Sequence, residues 1–233
     1  MGEDRPALHR DEFESMLRAA ERSYWDKHPF HQRMDAGELD SGDLRAWVAN
    51  RWYYQRSLPQ KDAAIVANCP FPQVRRQWLP RISYHDGTSD RDGGCARWLL
   101  LAEAVGLSRE EIADERHVLP GVRFAVDSYV TFARTRPWVE GIASSLTELF
   151  APEAMATRMA AFRRYYPWIN HEALGYFDAR IPQAREECAD ALDIVLAHCT
   201  SRESQDAAAR ALEFKTDVLW SMLDTIEHSR PAL

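Results

Sequence analysis

The 233 residues carry a formal net charge of −7, with 45% apolar and 28% charged side chains. This is the composition of a globular protein with a buried core, and it argues against a partner held by a broad basic surface, whether nucleic acid or anionic lipid. No apolar run approaches the ~20 residues of a membrane span, and MGEDRPALHR offers neither a signal core nor a myristoylation pattern. The chain therefore reads as one cytoplasmic domain over residues 1–233.

Apolar spacing of three and four recurs almost from end to end, with no sustained alternation of period two, which predicts an all-α fold. Helices are expected over 11–26, 41–68, 72–86, 93–106, 108–116, 121–135, 137–165, 170–199 and 203–229. Ser41 and Ser108 are the expected N-caps, the latter in a capping box with Glu111. Pro59, Pro152 and Pro182 fall inside helical pattern and should kink or divide it. Cys69, Cys95, Cys188 and Cys199 form no C-x-x-C pair and are expected to be buried free thiols.

Several predicted helices interrupt their core-facing stripe with a polar side chain. The stripe Leu44, Trp47, Val48, Tyr54, Leu58 contains Arg51, with Gln55 one turn on. Val74, Trp78 and Ile82 share a face with Arg81 and His85, and Ile169, Ala173 and Ala184 flank Tyr176 and Arg180. In the last helix Lys215 stands in the stripe Ala208, Ala211, Leu219, Met222, Ile226. Tyr129 joins Val122, Val126 and Ala133, while Gly141, Ser144, Ser145 and Glu148 share a small-residue face.

Taken singly, an inward cation is most often an ion pair or a snorkelling side chain, and an inward tyrosine is core. Together, Arg51, Arg81, Arg158, Arg180 and Lys215 set about five cations against one evident carboxylate, an imbalance that calls for anions from a ligand. Arginine forks suit a small polycarboxylate. His85 among cations should be a neutral base, and Tyr54, Tyr129 and Tyr176 can orient carbonyls or relay protons. These features point to proton and electron movement on an anionic, quinonoid substrate. Asp114 with His117, Asp224 with His228, and His28 with His31 have suggestive spacing but lack a third metal ligand, and no phosphate-binding loop, dinucleotide fingerprint or nucleophile elbow is present.

The segments WVANRWYYQRSLPQKDAAIVANCP, RISYHDG, DGGCARWLLLAEAVGLSRE, ERHVLPGVRFAVDSYV, SSLTELFAP and FKTDVLWSMLD resemble the pyrroloquinoline-quinone (PQQ) synthase family over about residues 11–228. The resemblance implies a heme-oxygenase-like compact helical bundle, working as a homodimer with no metal or organic cofactor. It also implies an oxidase that closes a ring of the tricarboxylate amino-carboxyethyl dioxo-hexahydroquinoline dicarboxylate (AHQQ) and oxidises it with dioxygen to PQQ and hydrogen peroxide. By the same resemblance Arg51, Tyr54, Gln55, Arg81, Tyr129, Glu148, Arg158 and Lys215 hold the quinone, His85, Tyr176 and Arg180 surround dioxygen, and Lys215 counts with these three as catalytic. His85 is the implied principal base. Two positions depart from the family pattern: Trp25 stands where the family commonly has histidine before HPFH, and Met155 where some members have histidine after LFAP. The competing readings are a non-catalytic PQQ carrier or sensor, an oxidase of another polycarboxylate, and a helical metal or tetrapyrrole protein sharing only the fold.

Overall fold

The computed structural model describes residues 5–89 and 92–228, which are helical throughout apart from short connections, with no strand among them. The α-helices are α1 (Arg10–Arg18), α2 (Pro29–Ala36), α3 (Ser41–Asn68), α4 (Pro72–Asp86), α5 (Gly93–Ala104), α6 (Arg109–Ala113), α7 (Pro120–Thr135), α8 (Trp138–Ser144), α9 (Ala151–Tyr165), α10 (Gly175–His198) and α11 (Arg202–His228). Short 3-10 turns cover Ala19–Ser23, Trp25–Lys27, Ser145–Leu149 and His171–Leu174.

Two departures from the sequence expectation, and one expected division, have local causes. The first helix stops at Arg18 and continues as 3-10 turns, so Trp25 belongs to a separate turn rather than to that helix. The span 137–165 is not one helix but is divided at 145–149, in line with the expectation that Pro152 kinks or divides it: proline fits only the first turn of a helix, and α9 restarts just before it. The cap of α3 is Asp40 rather than Ser41, its carboxylate accepting from the Asp43 N–H in a capping box. The Ser108 capping box forms as expected. Residue 229, the last of the expected final helix, lies outside the described residues.

The central element is α3, 28 residues packed against α4, α5, α7, α8 and α11. Pro59 leaves the Gln55 carbonyl without its helical donor, and the Cys95 thiol sits 3.8 Å from that oxygen. A side chain at Gly141 would press within 2.8 Å of Ile65, so α8 approaches α3 closely enough to carry Ser145 and Glu148 inward. Only Cys69 and Cys199 are buried; Cys95 and Cys188 are half-buried, contrary to the expectation for all four. None of the helices is long and apolar enough to cross a membrane among the described residues.

Candidate active site

Residues three and four apart on one face of α3 turn Arg51, Tyr54, Gln55 and Leu58 toward a pocket. The opposite walls are Trp25 from its 3-10 turn, Thr147 and Glu148 from the turn after α8, and Met155 and Arg158 from α9. The third wall is Tyr176, Phe177 and Arg180 from α10 with Leu219 from α11. The pocket holds about 550 Å³ of space outside atoms, part of it open to solvent. Of the eleven residues singled out in the sequence, Arg51, Tyr54, Gln55, Glu148, Arg158, Tyr176 and Arg180 line it directly. Arg81, His85, Tyr129 and Lys215 are buried outside this lining.

One end is a closed ring of charge. Arg81 Nη1 donates to Glu148 at 2.7 Å and to Glu187 at 3.3 Å, and its Nη2 also pairs with Glu148. Arg180 donates from Nη2 to Glu148 at 2.6 Å and from Nη1 to Glu187 at 2.7 Å. Two guanidinium groups thus meet two carboxylates, and Arg81 additionally lies 4.1 Å over the Trp78 ring. Burial weighs against both charges, yet Glu148 and Glu187 raise the affinity of each arginine for its proton. Glu187 is itself pushed up by burial, but Arg81 and Arg180 more than offset this and hold its carboxyl below the usual range.

The other end is unanswered. Arg51 Nε and Nη1, Arg158 Nε and Nη2, and both polar atoms of the Gln55 amide are buried without a hydrogen-bond partner among the described residues. A buried donor left unsatisfied costs about 1–3 kcal/mol, more when it carries charge. Burial holds the Arg158 proton affinity below the ordinary guanidinium value. Aromatic rings supply the remaining support: the Arg51 guanidinium lies 4.3 Å over Trp25, 5.1 Å over Tyr54 and 5.5 Å over Trp98. His31 fixes the Trp25 platform, its ring meeting the indole edge-on at 4.8 Å and its Nδ1 lying 3.0 Å from the Trp25 carbonyl oxygen.

Between the ends runs a buried row of phenols and amines. Lys215 Nζ donates to the Tyr54 hydroxyl at 2.9 Å and sits 3.7 Å over the Tyr129 ring, which stacks on Tyr54. Lys61, equally buried on α3, donates to Asp62 at 2.6 Å and Ser145 at 3.0 Å. Asp62 also accepts from the Trp78 indole. Burial, then Lys61 and Arg51, push the Lys215 ammonium well below its ordinary range, and burial lifts the Tyr54 phenol well above its own. His85, in the last turn of α4, is held well below the usual imidazole range by burial first and then by Arg180, Lys61, Arg81 and Arg51. Its Nδ1 is buried without a partner, and Gly94 packs so closely that a side chain there would come within 3.1 Å of it.

A family model described as TENA/THI-4/PQQC matches residues 14–225. The chain belongs to this family. It is 51% identical over 219 residues to a pyrroloquinoline-quinone synthase of Cronobacter sakazakii, covering 94% of the chain and 87% of that protein. A synthase of the same name from Pseudomonas aeruginosa is 51% identical over 222 residues, 95% of the chain and 89% of its own length. More distant solved structures share the fold alone. A TenA homologue from Pseudomonas syringae superposes with a TM-score of 0.75 at 13% identity, covering 96% of the chain and 98% of its own. A heme-oxygenase-like domain from Shewanella denitrificans gives 0.76 at 12% identity, with 95% and 93% covered.

Set among its family, the site contains charged residues that the sequence reading passed over. The inward cations number six, not five, because Lys61 is buried as deeply as Lys215, and Asp62, Glu148 and Glu187 answer them in place of one evident carboxylate. The surplus of basic groups survives, but it is concentrated at Arg51 and Arg158, with Lys215 a buried amine whose proton is held only weakly. The histidines with metal-like spacing are otherwise engaged: His28 caps α2 and meets Asp224, and His117 meets Glu111. No three His, Cys, Asp or Glu side chains converge to hold a metal ion among the described residues.

Proposed function

We propose that the chain acts in PQQ biosynthesis as a cytoplasmic, homodimeric PQQ synthase, closing the ring of AHQQ and oxidising it with dioxygen to PQQ and hydrogen peroxide, without metal or organic cofactor. The observation that carries this is the pair of unanswered arginines facing an aromatic-walled pocket, in a chain half identical to proteins named PQQ synthase. Carboxylates of the substrate complete the donor sets of Arg51 and Arg158, with the Gln55 amide free to donate or accept beside them. Phe177 and Leu219 supply the apolar wall for the substrate ring, opposite the face of α3 that carries Arg51, Tyr54 and Gln55.

In this reading the substrate amine attacks the quinonoid ring, and protons leave carbon and nitrogen in succession. His85 is neutral at physiological pH because burial and its cationic neighbours disfavour a further charge, so it can accept such a proton. Each oxidation passes two electrons and two protons to dioxygen, yielding one hydrogen peroxide. Tyr176 and Arg180 lie at this end of the pocket to donate hydrogen bonds to reduced oxygen. Lys215 is held by the Tyr54 hydroxyl and returns protons through it.

The test is anaerobic mixing of the purified protein with AHQQ, followed by admission of air while the spectrum and peroxide are recorded, with and without exhaustive chelation. PQQ formation unaffected by chelation is expected. Binding without oxidation would make the chain a carrier or sensor, and turnover lost on chelation and restored by iron would make it a metal oxidase.

A further inference from the structure

His85 is boxed in by the start of α5. Gly93 and Gly94, the first two residues of that helix, are both buried. Gly93 has φ +88°, in the left-handed region that side chains rarely enter, and a Cβ there would meet the Gly87 amide nitrogen at 2.6 Å and the His85 carbonyl oxygen at 2.9 Å. The chain thus returns so closely after α4 that Gly94 lies against the imidazole itself, where a Cβ would stand 3.1 Å from Nδ1 and 3.5 Å from the His85 Cα. The Tyr84 ring meets the imidazole edge-on at 5.2 Å, and its Cε1 would lie 3.4 Å from the same Cβ. A histidine ring is ordinarily oriented by a hydrogen bond at one of its nitrogens, but Nδ1 of His85 is buried and has no partner among the described residues. Contact with the bare backbone of Gly94 is what remains on that side to hold the ring.

We infer that Gly94 is a positioning residue for His85: the surface without a side chain at the start of α5 is the stop against which the imidazole rests, and it sets where that ring stands relative to the ligand. The inference deepens the proposed oxidase reading and rests on it for its rate arm, but not for its resonance arm. Gly94→Ala is a mild probe. Gly94 lies within α5 and lacks the positive φ of Gly93, so alanine suits its backbone and the added methyl acts through contact. At 3.1 Å the imidazole must give way by a few tenths of an ångström. Gly94→Ala is expected to melt at or above the natural temperature and to bind PQQ within about two-fold. It should oxidise AHQQ about ten-fold more slowly in a single turnover, because a small displacement of a reacting group is costly. A merely structural role would lower melting temperature, affinity and rate together.

The deciding measurement combines Gly94→Ala with His85→Ala. If Gly94 acts through the imidazole, adding Gly94→Ala to His85→Ala should lower the remaining rate by less than about two-fold, since the group that it positions is gone. The His85 Cε1–H proton resonance, assigned by its loss in His85→Ala, should shift in Gly94→Ala while those of the other histidines stay in place. Natural rate in Gly94→Ala, parallel loss of affinity and rate, or the same ten-fold loss with and without His85 would each overturn the inference. Should Gly94→Ala fail to fold while its combination with His85→Ala folds, the clash is with the imidazole and the inference stands. If neither folds, Gly94 serves the packing of α5 on α4, and it falls. If the natural protein does not turn over AHQQ at all, the proposed function has failed, and the resonance decides: a shifted His85 signal upholds the role of Gly94, and an unmoved one ends it.

Discussion

The two ends of the pocket contain the same residue type in opposite states. Arg81 and Arg180 are each held by two carboxylates, whereas Arg51 and Arg158 have buried N–H groups with no acceptor among the described residues. The closed ring is a structural solution that stands without a ligand; the open end is costly until an anion arrives. Arginine in a pocket is therefore not one signal but two. What separates them is the partner inventory rather than burial, since all four are nearly inaccessible.

The largest effect should come from His85, which belongs to neither set of arginines. Proton transfer by a positioned base contributes about 10²–10⁴-fold, so His85→Ala is expected to lower oxidation by that factor while PQQ binding stays within about two-fold. Stopped-flow oxidation alongside equilibrium titration would check this, and an unchanged rate would remove His85 from the chemistry. Next in size is the ring. Breaking a buried pair costs about 3–5 kcal/mol, and since Glu148 is 21% exposed the lower figure applies to Glu148→Gln, a loss of about 3 kcal/mol in denaturant unfolding of the empty protein. Arg158→Leu should do the reverse, leaving the empty protein at least as stable but weakening PQQ about ten- to hundred-fold, the worth of a hydrogen bond to a charged group. If Arg158→Leu destabilises as much as Glu148→Gln, the contrast between the ends is false.

Lys215 sharpens the comparison through pH. Its folded-state proton affinity is depressed, so the unfolded chain binds the proton more readily and stability rises with pH up to the ordinary lysine range. Between pH 7 and about 8.5 the natural protein should gain melting temperature from this group, and Lys215→Met should remove that part of the slope while melting at least as high at pH 7 and binding PQQ more weakly. His85, also depressed, adds its own rise only below its ordinary value near 6.5, outside this window. A slope identical in the two proteins would mean that Lys215 is charged and paired in the empty fold.

Much of this was legible in the chain because period 3.6 places residues on faces before any contact is known. Arg51, Arg81, His85, Arg180 and Lys215 all proved buried, although Leu58 and Ile82 in their stripes are only half-buried. Charge partners were harder, since they come from distant elements or hide in polar runs. Glu187 sits in Arg185, Glu186, Glu187, which reads as a solvated surface, although Ala184 and Ala191 at three and four residues mark the same face as inward. Lys61 likewise continues the stripe Tyr54, Leu58, Ile65 and could have been found by it. The break after Ser144 was signalled only by Pro152, and the 3-10 turn carrying Trp25 by nothing in its apolar spacing.

The smallest expected effect concerns Trp25, the position at which the family resemblance leads one to expect histidine. The indole is a platform for Arg51 at 4.3 Å, held in place by His31, rather than a free stacking face on the first helix. Trp25→His would give a substrate carboxylate a hydrogen bond of about 1.5 kcal/mol and would forfeit a cation–π contact of about 1 kcal/mol that keeps the open guanidinium in position. The difference, about 0.5 kcal/mol, is two- to three-fold tighter PQQ binding with the same product and a rate within two-fold, read from titration and single-turnover oxidation. Trp25→Leu supplies neither contribution and should weaken binding about five-fold, which isolates the platform. If Trp25→His instead turns over AHQQ readily while the natural protein does not, the indole selects a different polycarboxylate, and the open end, though still an anion site, serves another substrate.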